Sequence, residues 1–207
     1  MKKYSAVIFD LDGTIVDDER FWHTAFQNTA KNKGIEKQIK PVAGRGLKDS
    51  WKINGESERA EELAIETRLE FLELVENEAN IEPREGFFNL VEYLKEKGYL
   101  IGLCTSSHWE VFDSLSEKMN LSGIFDAITT GEEVLLLKPD PEIYRLTCQK
   151  LGVEPEECLV FEDSEAGIDS AKACGCEVIK VGDEFDFSNP GVLNTLGQGL
   201  ESFQQTT

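Results

Sequence analysis

The run Val7-Ile8-Phe9-Asp10-Leu11-Asp12-Gly13-Thr14 restricts this chain more than any other stretch. An apolar segment ends abruptly in two carboxylates one residue apart, followed by glycine and threonine. A buried strand running into an acidic turn is the plain reading. Four fixed residue types within five positions, however, arise by chance in only roughly one chain of this size in a few hundred. Two carboxylates at a strand end repel unless something compensates them, and a divalent cation is the usual compensation. If the strand persists past Phe9, its alternation points Asp10 and Asp12 to the same side.

Further runs of this kind follow. Residues 99–104 are continuously apolar, as expected of a strand covered on both faces, and 127–129, 158–161 and 177–181 read as further strands. Between them lie helical stripes: Phe87, Phe88, Leu90, Val91 and Leu94, stopped by Gly98; Val111, Phe112, Leu115 and Met119; Ile143, Leu146 and Leu151 after Asp140-Pro141; and a helix from about Ser164 to Gly175. Alternating strands and helices predict an α/β fold with a doubly wound parallel sheet. One segment breaks the alternation. From residue 18 to about 83 the pattern is helical with no strand signal. Asp17 or Asp18 can cap a helix bearing Phe21, Trp22, Ala25, Phe26 and Thr29. A second stripe runs through Ala60, Leu63, Ala64, Thr67, Phe71, Leu74 and Val75, with glutamates on its other face. Residues 35–55 have no clear period and contain loop. After Gly182 the tail is weakly patterned at Val192, Leu193, Leu196 and Leu200, and Gly197 and Gly199 argue against a helix there.

Composition narrows the function. Asp and Glu number 40 against 21 Lys and Arg, a formal charge of −19. That balance opposes nucleic acid and an anionic membrane surface as partners, and an anionic substrate needs local positive charge to draw it in. No apolar run approaches the length of a bilayer span. A strand beginning almost at Met1 leaves no room for a signal peptide, and five cysteines, mostly within apolar runs, read as reduced thiols, so a cytoplasmic protein is expected. Cys174 and Cys176, two apart around a glycine, lack a second pair to make a metal site and read as structural. No heptad seam or long exposed strand calls for an oligomer, and a monomer is expected.

In open α/β sheets the ligand crevice lies beyond the carboxyl ends of the strands. Those ends deliver Asp10 and Asp12, then Thr105 and Ser106 with Ser107 and His108 opening the next helix, then Glu162 and Asp163, while Lys138 stands just before a helix. Singly each has a plain reading as cap, surface cation or turn. In this order they resemble the four signatures of the haloacid dehalogenase (HAD) superfamily, with Asp10-Leu11-Asp12-Gly13-Thr14 similar to its nucleophile motif. The flanks Lys138-Pro139-Asp140-Pro141-Glu142-Ile143-Tyr144 and Phe161-Glu162-Asp163-Ser164-Glu165-Ala166-Gly167-Ile168 resemble the subgroup holding sugar-phosphate phosphatases and β-phosphoglucomutase. The resemblance spans residues 6–181. It implies a core of residues 1–17 and 84–207 and an inserted helical cap, 18–83.

The resemblance also implies roles. Asp10 would be the nucleophile that forms an aspartyl-phosphate, and Asp12 the general acid and base. Mg²⁺ would be held by Asp10, the backbone carbonyl of Asp12, and Asp163, with Glu162 in support. Lys138, the Thr105 hydroxyl and donors around Ser106 would neutralise the phosphoryl charge. Asp12 excludes the family's metal-free dehalogenases, which lack it, so the implied activity is Mg²⁺-dependent hydrolysis of a small phosphorylated metabolite such as a sugar phosphate. A phosphomutase sharing the intermediate is the alternative, and a non-catalytic phospho-ligand-binding protein a more distant one. Two departures stand out. Leu137 precedes Lys138 where the subgroup often has glycine, and Trp22 aligns with a histidine of β-phosphoglucomutase, His23 coming one residue too late. The second tilts the reading toward hydrolysis. In the cap, Arg45 between Gly44 and Gly46 is the candidate to grip a substrate anion, with a solvated loop arginine as the competing reading. His23 and Trp51 read as surface or packing.

Overall fold

The computed structural model describes residues 3–198. Five parallel strands form one sheet: β1 (Ala6–Phe9), β2 (Leu100–Cys104), β3 (Ala127–Thr129), β4 (Cys158–Glu162) and β5 (Glu177–Lys180), in the order β3-β2-β1-β4-β5. The chain crosses β1 to build one half and then the other, so the switch in winding direction falls beside β1. There Phe9 is in register with Leu103 on one side and Phe161 on the other. This is the doubly wound α/β fold that the strand–helix alternation predicts.

Within residues 18–83, between β1 and β2, lie α1 (Glu19–Asn32), α2 (Leu47–Ile53) and α3 (Ala60–Asn77); a fourth helix, α4 (Phe87–Glu96), follows them before β2. The first three have their own apolar cluster, which contains Phe26, Ala30, Ile39, Trp51, Ala60 and Leu63. Phe21, Trp22, Ala25, Phe71 and Val75, by contrast, join the cluster that continues into the sheet. α2 falls inside the stretch read as aperiodic. Two turns are too few for a helical period to show, and only Ser50 and Trp51 of it are buried.

The later helices are α4 (Phe87–Glu96), α5 (Trp109–Met119), α6 (Glu142–Leu151), α7 (Glu165–Cys174) and α8 (Pro190–Gln198). Strand alternation divides them between the two faces of the sheet. Val7, Phe9, Ile101, Leu103, Leu159 and Phe161 pack with α4, α5 and α8, while Ala6, Ile8, Cys104, Cys158 and Val160 pack with α6 and α7. Ser164 caps α7 as expected, its Oγ accepting the Gly167 N–H at 3.0 Å.

The tail differs from expectation. Phe187 is fully buried and its ring meets Phe9, Phe87 and Phe161 edge-on; Val192 and Leu196 of α8 are buried in the same cluster. The tail therefore completes one face of the core. Its signal was weak because the aromatics alternate with acidic and polar residues in a loop. Leu200 and Gly199 lie outside the described residues. None of the described helices is long and apolar enough to cross a membrane.

Candidate active site

The carboxyl ends of β1, β2 and β4 meet at one point, and Lys138 enters it from the loop before α6. Lys138 is buried, its ammonium donating to Asp10 Oδ1 at 2.5 Å, to Glu162 Oε2 at 2.7 Å and to the Cys104 carbonyl at 3.2 Å. Burial opposes its charge, but Asp10 and Glu162 outweigh that and push its pKa well above the ordinary value. Glu162 is saturated. Oε2 also accepts the Tyr144 hydroxyl at 2.6 Å, and Oε1 accepts the Ser164 N–H at 3.1 Å and Oγ–H at 2.8 Å. Burial works against its ionisation, yet Lys138 and these donors hold its pKa below the usual carboxylate range.

Asp10 and Asp163 are less well compensated. Burial, then Glu162, raises Asp10 well above the carboxylate range despite Lys138. The same two causes push Asp163 up to about 6, against the Thr14 hydroxyl bond at 3.0 Å, the charge of Lys138 and its own backbone N–H. Asp163 lies so close to the motif turn that a Cβ on Gly13, whose φ is +80°, would stand 2.4 Å from its Oδ2. Asp10, Glu162 and Asp163 each present an oxygen within 4.8 Å of the others. Two buried carboxylates and the half-buried Asp163 gathered around one ammonium leave negative charge over, and the donors are all oxygen. A hard divalent cation fits there.

Strand β1 does not persist to Asp12. It ends at Phe9, only the Asp10 N–H continuing the ladder to the Phe161 carbonyl at 3.0 Å, and Leu11 turns into the core. Asp12 reaches the site by a turn instead and is gripped from two directions. Its Oδ2 accepts the hydroxyls of Thr105 at 3.0 Å and Ser107 at 2.9 Å, and its Oδ1 accepts the Trp22 indole N–H at 2.8 Å. Thr105, fully buried, thus points at Asp12 in this structure, and Ser106 donates to the Gly44 carbonyl at 2.9 Å.

Several participants escaped the sequence reading. Trp22 sat in an apolar helical stripe, indistinguishable from core. Ser107 and Tyr144 carried no role. Asp18 precedes α1 but its side chain does not cap it; Oδ1 accepts the Gly13 N–H at 3.2 Å, and burial followed by the charge of Asp12 raises its pKa well above the ordinary value. Arg84, where the chain leaves the helical segment, donates from Nε and Nη2 to the Gly13 carbonyl at 3.1 and 2.9 Å, bracing the motif turn. Of the three helical-segment candidates, His23 is exposed, while Trp51 is buried with its N–H on Thr67 Oγ1 at 3.0 Å. Arg45 is half-buried, in a loop pressed against the site: a Cβ on Gly44, φ +71°, would lie 2.0 Å from Ser164 Oγ.

A parallel sheet with a buried Asp–Lys–Glu relay and a second aspartate at its switch point defines a class. Residues 7–181 match the family model of haloacid dehalogenase-like hydrolases, and the chain belongs to that family. It is an enzyme of the family's phosphatase type, a phosphoric monoester hydrolase. Among curated relatives it is 34% identical to hexitol phosphatase A of Escherichia coli strain K12, over 97% of this chain and 92% of that protein. It is 30% identical to the phosphorylated carbohydrates phosphatase of Thermotoga maritima, over 94% and 88%. Among solved structures, β-phosphoglucomutase from Clostridium difficile superposes with a TM-score of 0.73 at 25% identity, over 87% of this chain and 85% of that one.

Proposed function

We propose that the protein is a Mg²⁺-dependent phosphatase of small phosphorylated carbohydrates, acting through an aspartyl-phosphate on Asp10. The observation that carries this reading is the pairing of Asp10 with Lys138 at 2.5 Å beside an Asp12 held by three donors. Asp10 Oδ attacks phosphorus while the ester P–O bond breaks and Asp12 passes a proton to the departing sugar oxygen. Water then attacks the same phosphorus, Asp12 takes its proton, the Asp10–phosphorus bond breaks, and inorganic phosphate leaves. Asp10 and Asp163, with the Asp12 carbonyl, are the groups to hold Mg²⁺, which supplies charge neutralisation on the phosphoryl oxygens when bound. Glu162, with both oxygens engaged, acts by fixing Lys138 rather than by ligation, and Thr105 acts by orienting Asp12.

Residues 18–83 serve as the cap over a core of 1–17 and 84–207, with Arg45 offering a cation to the substrate and Ser106 joining the Arg45 loop to the core. The proposed unit is a single chain, a monomer working in the cytoplasm. Hydrolysis is favoured over mutase chemistry by Trp22, which meets Asp12 with an indole N–H, a donor only, and has no basic nitrogen for proton exchange.

The test is phosphate release from a panel of sugar and polyol phosphates, with Mg²⁺ and with EDTA, in the wild type and in Asp10→Asn. Metal-dependent release abolished in Asp10→Asn is expected. Release that survives in the variant, once contamination is removed, sinks the mechanism.

A further inference from the structure

The five cysteines are not one population. Cys104 lies alone at the end of β2, under Lys138. The other four meet. Cys148 sits in the last turn of α6, Cys158 begins β4, Cys174 ends α7 and Cys176 directly precedes β5. The sulfur of Cys148 is 3.5 Å from that of Cys158 and 4.0 Å from that of Cys176, and Cys148, Cys174 and Cys176 lie within 4.8 Å of one another. All are free thiols. A tetrahedral zinc ion with Zn–S bonds of about 2.3 Å sets its sulfurs about 3.8 Å apart, the edge of that tetrahedron. The Cys148–Cys158 and Cys148–Cys176 pairs are close to that spacing before any ion draws them in, and Cys174 lies within 4.8 Å of Cys148 and Cys176.

We propose that Cys148, Cys158, Cys174 and Cys176 form a closed four-thiolate site for a thiophilic divalent ion of the zinc class.

Three further observations support this. A buried cysteine often acts as a small apolar residue, but that explains single cysteines, not four sulfurs from three separate segments of the fold converging. The location is also apt. The cluster lies at the amino ends of β4 and β5, while Glu162 and Asp163 stand at the opposite end of β4, so an ion here cannot share the phosphatase site. With four protein ligands it has no open position for substrate, which makes it structural: it would tie α6, α7, β4 and the start of β5 into one unit. Finally there is a way in. Cys174 is half-buried while its three partners are buried, and Arg145, near enough to Cys174 to influence its charge, offsets part of the negative charge of four thiolates on a divalent ion. The residues between these cysteines in sequence match none of the familiar short zinc spacings, so only the fold brings the set together.

Cobalt(II) is the probe, added to the fully reduced protein under argon with Mg²⁺ present to fill the carboxylate site. One cobalt per chain is expected, with thiolate-to-cobalt charge-transfer absorption and the intense visible bands of tetrahedral coordination, both erased by zinc. Zinc at roughly a hundred times its dissociation constant should raise the melting temperature by about 5–10 °C for a chain of this size. Cys148→Ser and Cys158→Ser should each lose the tetrahedral bands, while Cys104→Ser keeps them. Circular dichroism checks that each variant folds, and Cys174→Ser, at the half-buried position, stands in for any that does not. Absence of thiolate bands in the reduced wild type overturns the proposal. So do bands that survive in Cys148→Ser, an octahedral spectrum that disappears in Asp163→Asn, and a disulfide within the cluster whose reduction restores no metal uptake.

Discussion

Replacing Trp22 by phenylalanine isolates a single interaction. The indole N–H donates to Asp12 Oδ1 at 2.8 Å, and its ring stacks on Phe71 with centroids 3.7 Å apart and planes 18° from parallel. Phenylalanine keeps the stacking face and removes the donor, so stability should change little. A hydrogen bond to a charged group is worth about 1.5–3 kcal/mol, which, if realised fully in the transition state, is about 10- to 150-fold in rate. Asp12 is half-buried and its other oxygen keeps Thr105 and Ser107, so water can reach the vacated Oδ1. The loss should therefore sit at the lower end, about tenfold in kcat. Steady-state phosphate release under saturating Mg²⁺ measures it, with melting as the control. Trp22→His, which keeps an N–H donor, should recover part of the loss. A Trp22→Phe enzyme whose kcat and kcat/KM both stay within about twofold of wild type refutes the reasoning, because a bond used in the chemistry cannot be removed so cheaply.

Other perturbations test other parts of the site. Lys138→Met strands Asp10 and Glu162 as buried unpaired charges, and should destabilise the metal-free protein by about 3–5 kcal/mol near neutral pH while abolishing turnover; denaturant melts should show partial recovery at lower pH as the carboxyls protonate. Asp163, raised to about 6, must lose its proton to hold a cation. Mg²⁺ affinity should accordingly be flat above that pH and weaken as pH falls through it, by at most about tenfold per unit, read by Mg²⁺ titrations of the melting temperature; affinity unchanged down to about pH 5 would exclude Asp163 as a ligand. The raised pKa also means that the folded, ion-free state binds this proton more tightly than the unfolded chain. Through this group, stability is gained as pH falls from about 6 toward 3.8, the reverse of a salt-bridged carboxylate. Gly44→Ala places a methyl 2.0 Å from Ser164 Oγ at φ +71°, whereas Gly34→Ala, φ +69°, meets nothing within 4 Å. The two share the cost of an unfavourable φ, so any extra loss of kcat/KM in Gly44→Ala, expected at about tenfold, measures the close approach of its loop to the core.

What the sequence showed and what it hid divides along physical lines. The strands and the residues at their ends were legible because parallel strands buried on both faces carry unbroken apolar runs, with Asp10, Glu162 and Asp163 directly after them; the order of those strands in the sheet was not. The Asp10–Lys138–Glu162 contact itself was not legible, since it joins residues far apart in sequence. Asp12 reaches the strand ends by a route other than the expected one: the alternation stops at Phe9, and a turn delivers the carboxylate. Trp22 shows the deeper limit. Periodicity reports that a side chain is buried, and it cannot report that one edge of a buried indole faces a carboxylate. Phe187 and α8 were obscured because a loop residue plugging a core leaves no period, and α2 because two turns are too short to show one. The four cysteines were each visible, but their meeting depends on how α6 and α7 pack on β4 and β5.

The contacts between the helical segment and the core explain how substrate choice and chemistry can be linked. Trp22 of α1 touches Asp12, the proposed acid and base, and the Gly44 carbonyl takes the hydroxyl of Ser106, the neighbour of Thr105, which donates to Asp12. Gly44 also packs on Ser164, which holds Glu162, which in turn holds Lys138. A movement that lifts this segment would break bonds to Asp12 and loosen packing on the Lys138 support in one step. Closure and alignment are then the same event, and a ligand too large for the loop carrying Arg45 to settle over it would leave Asp12 short of a donor as well as poorly covered. On this account poor substrates lose kcat along with affinity, and the loss should shrink in Trp22→Phe, where one of the bonds that closure makes is already gone.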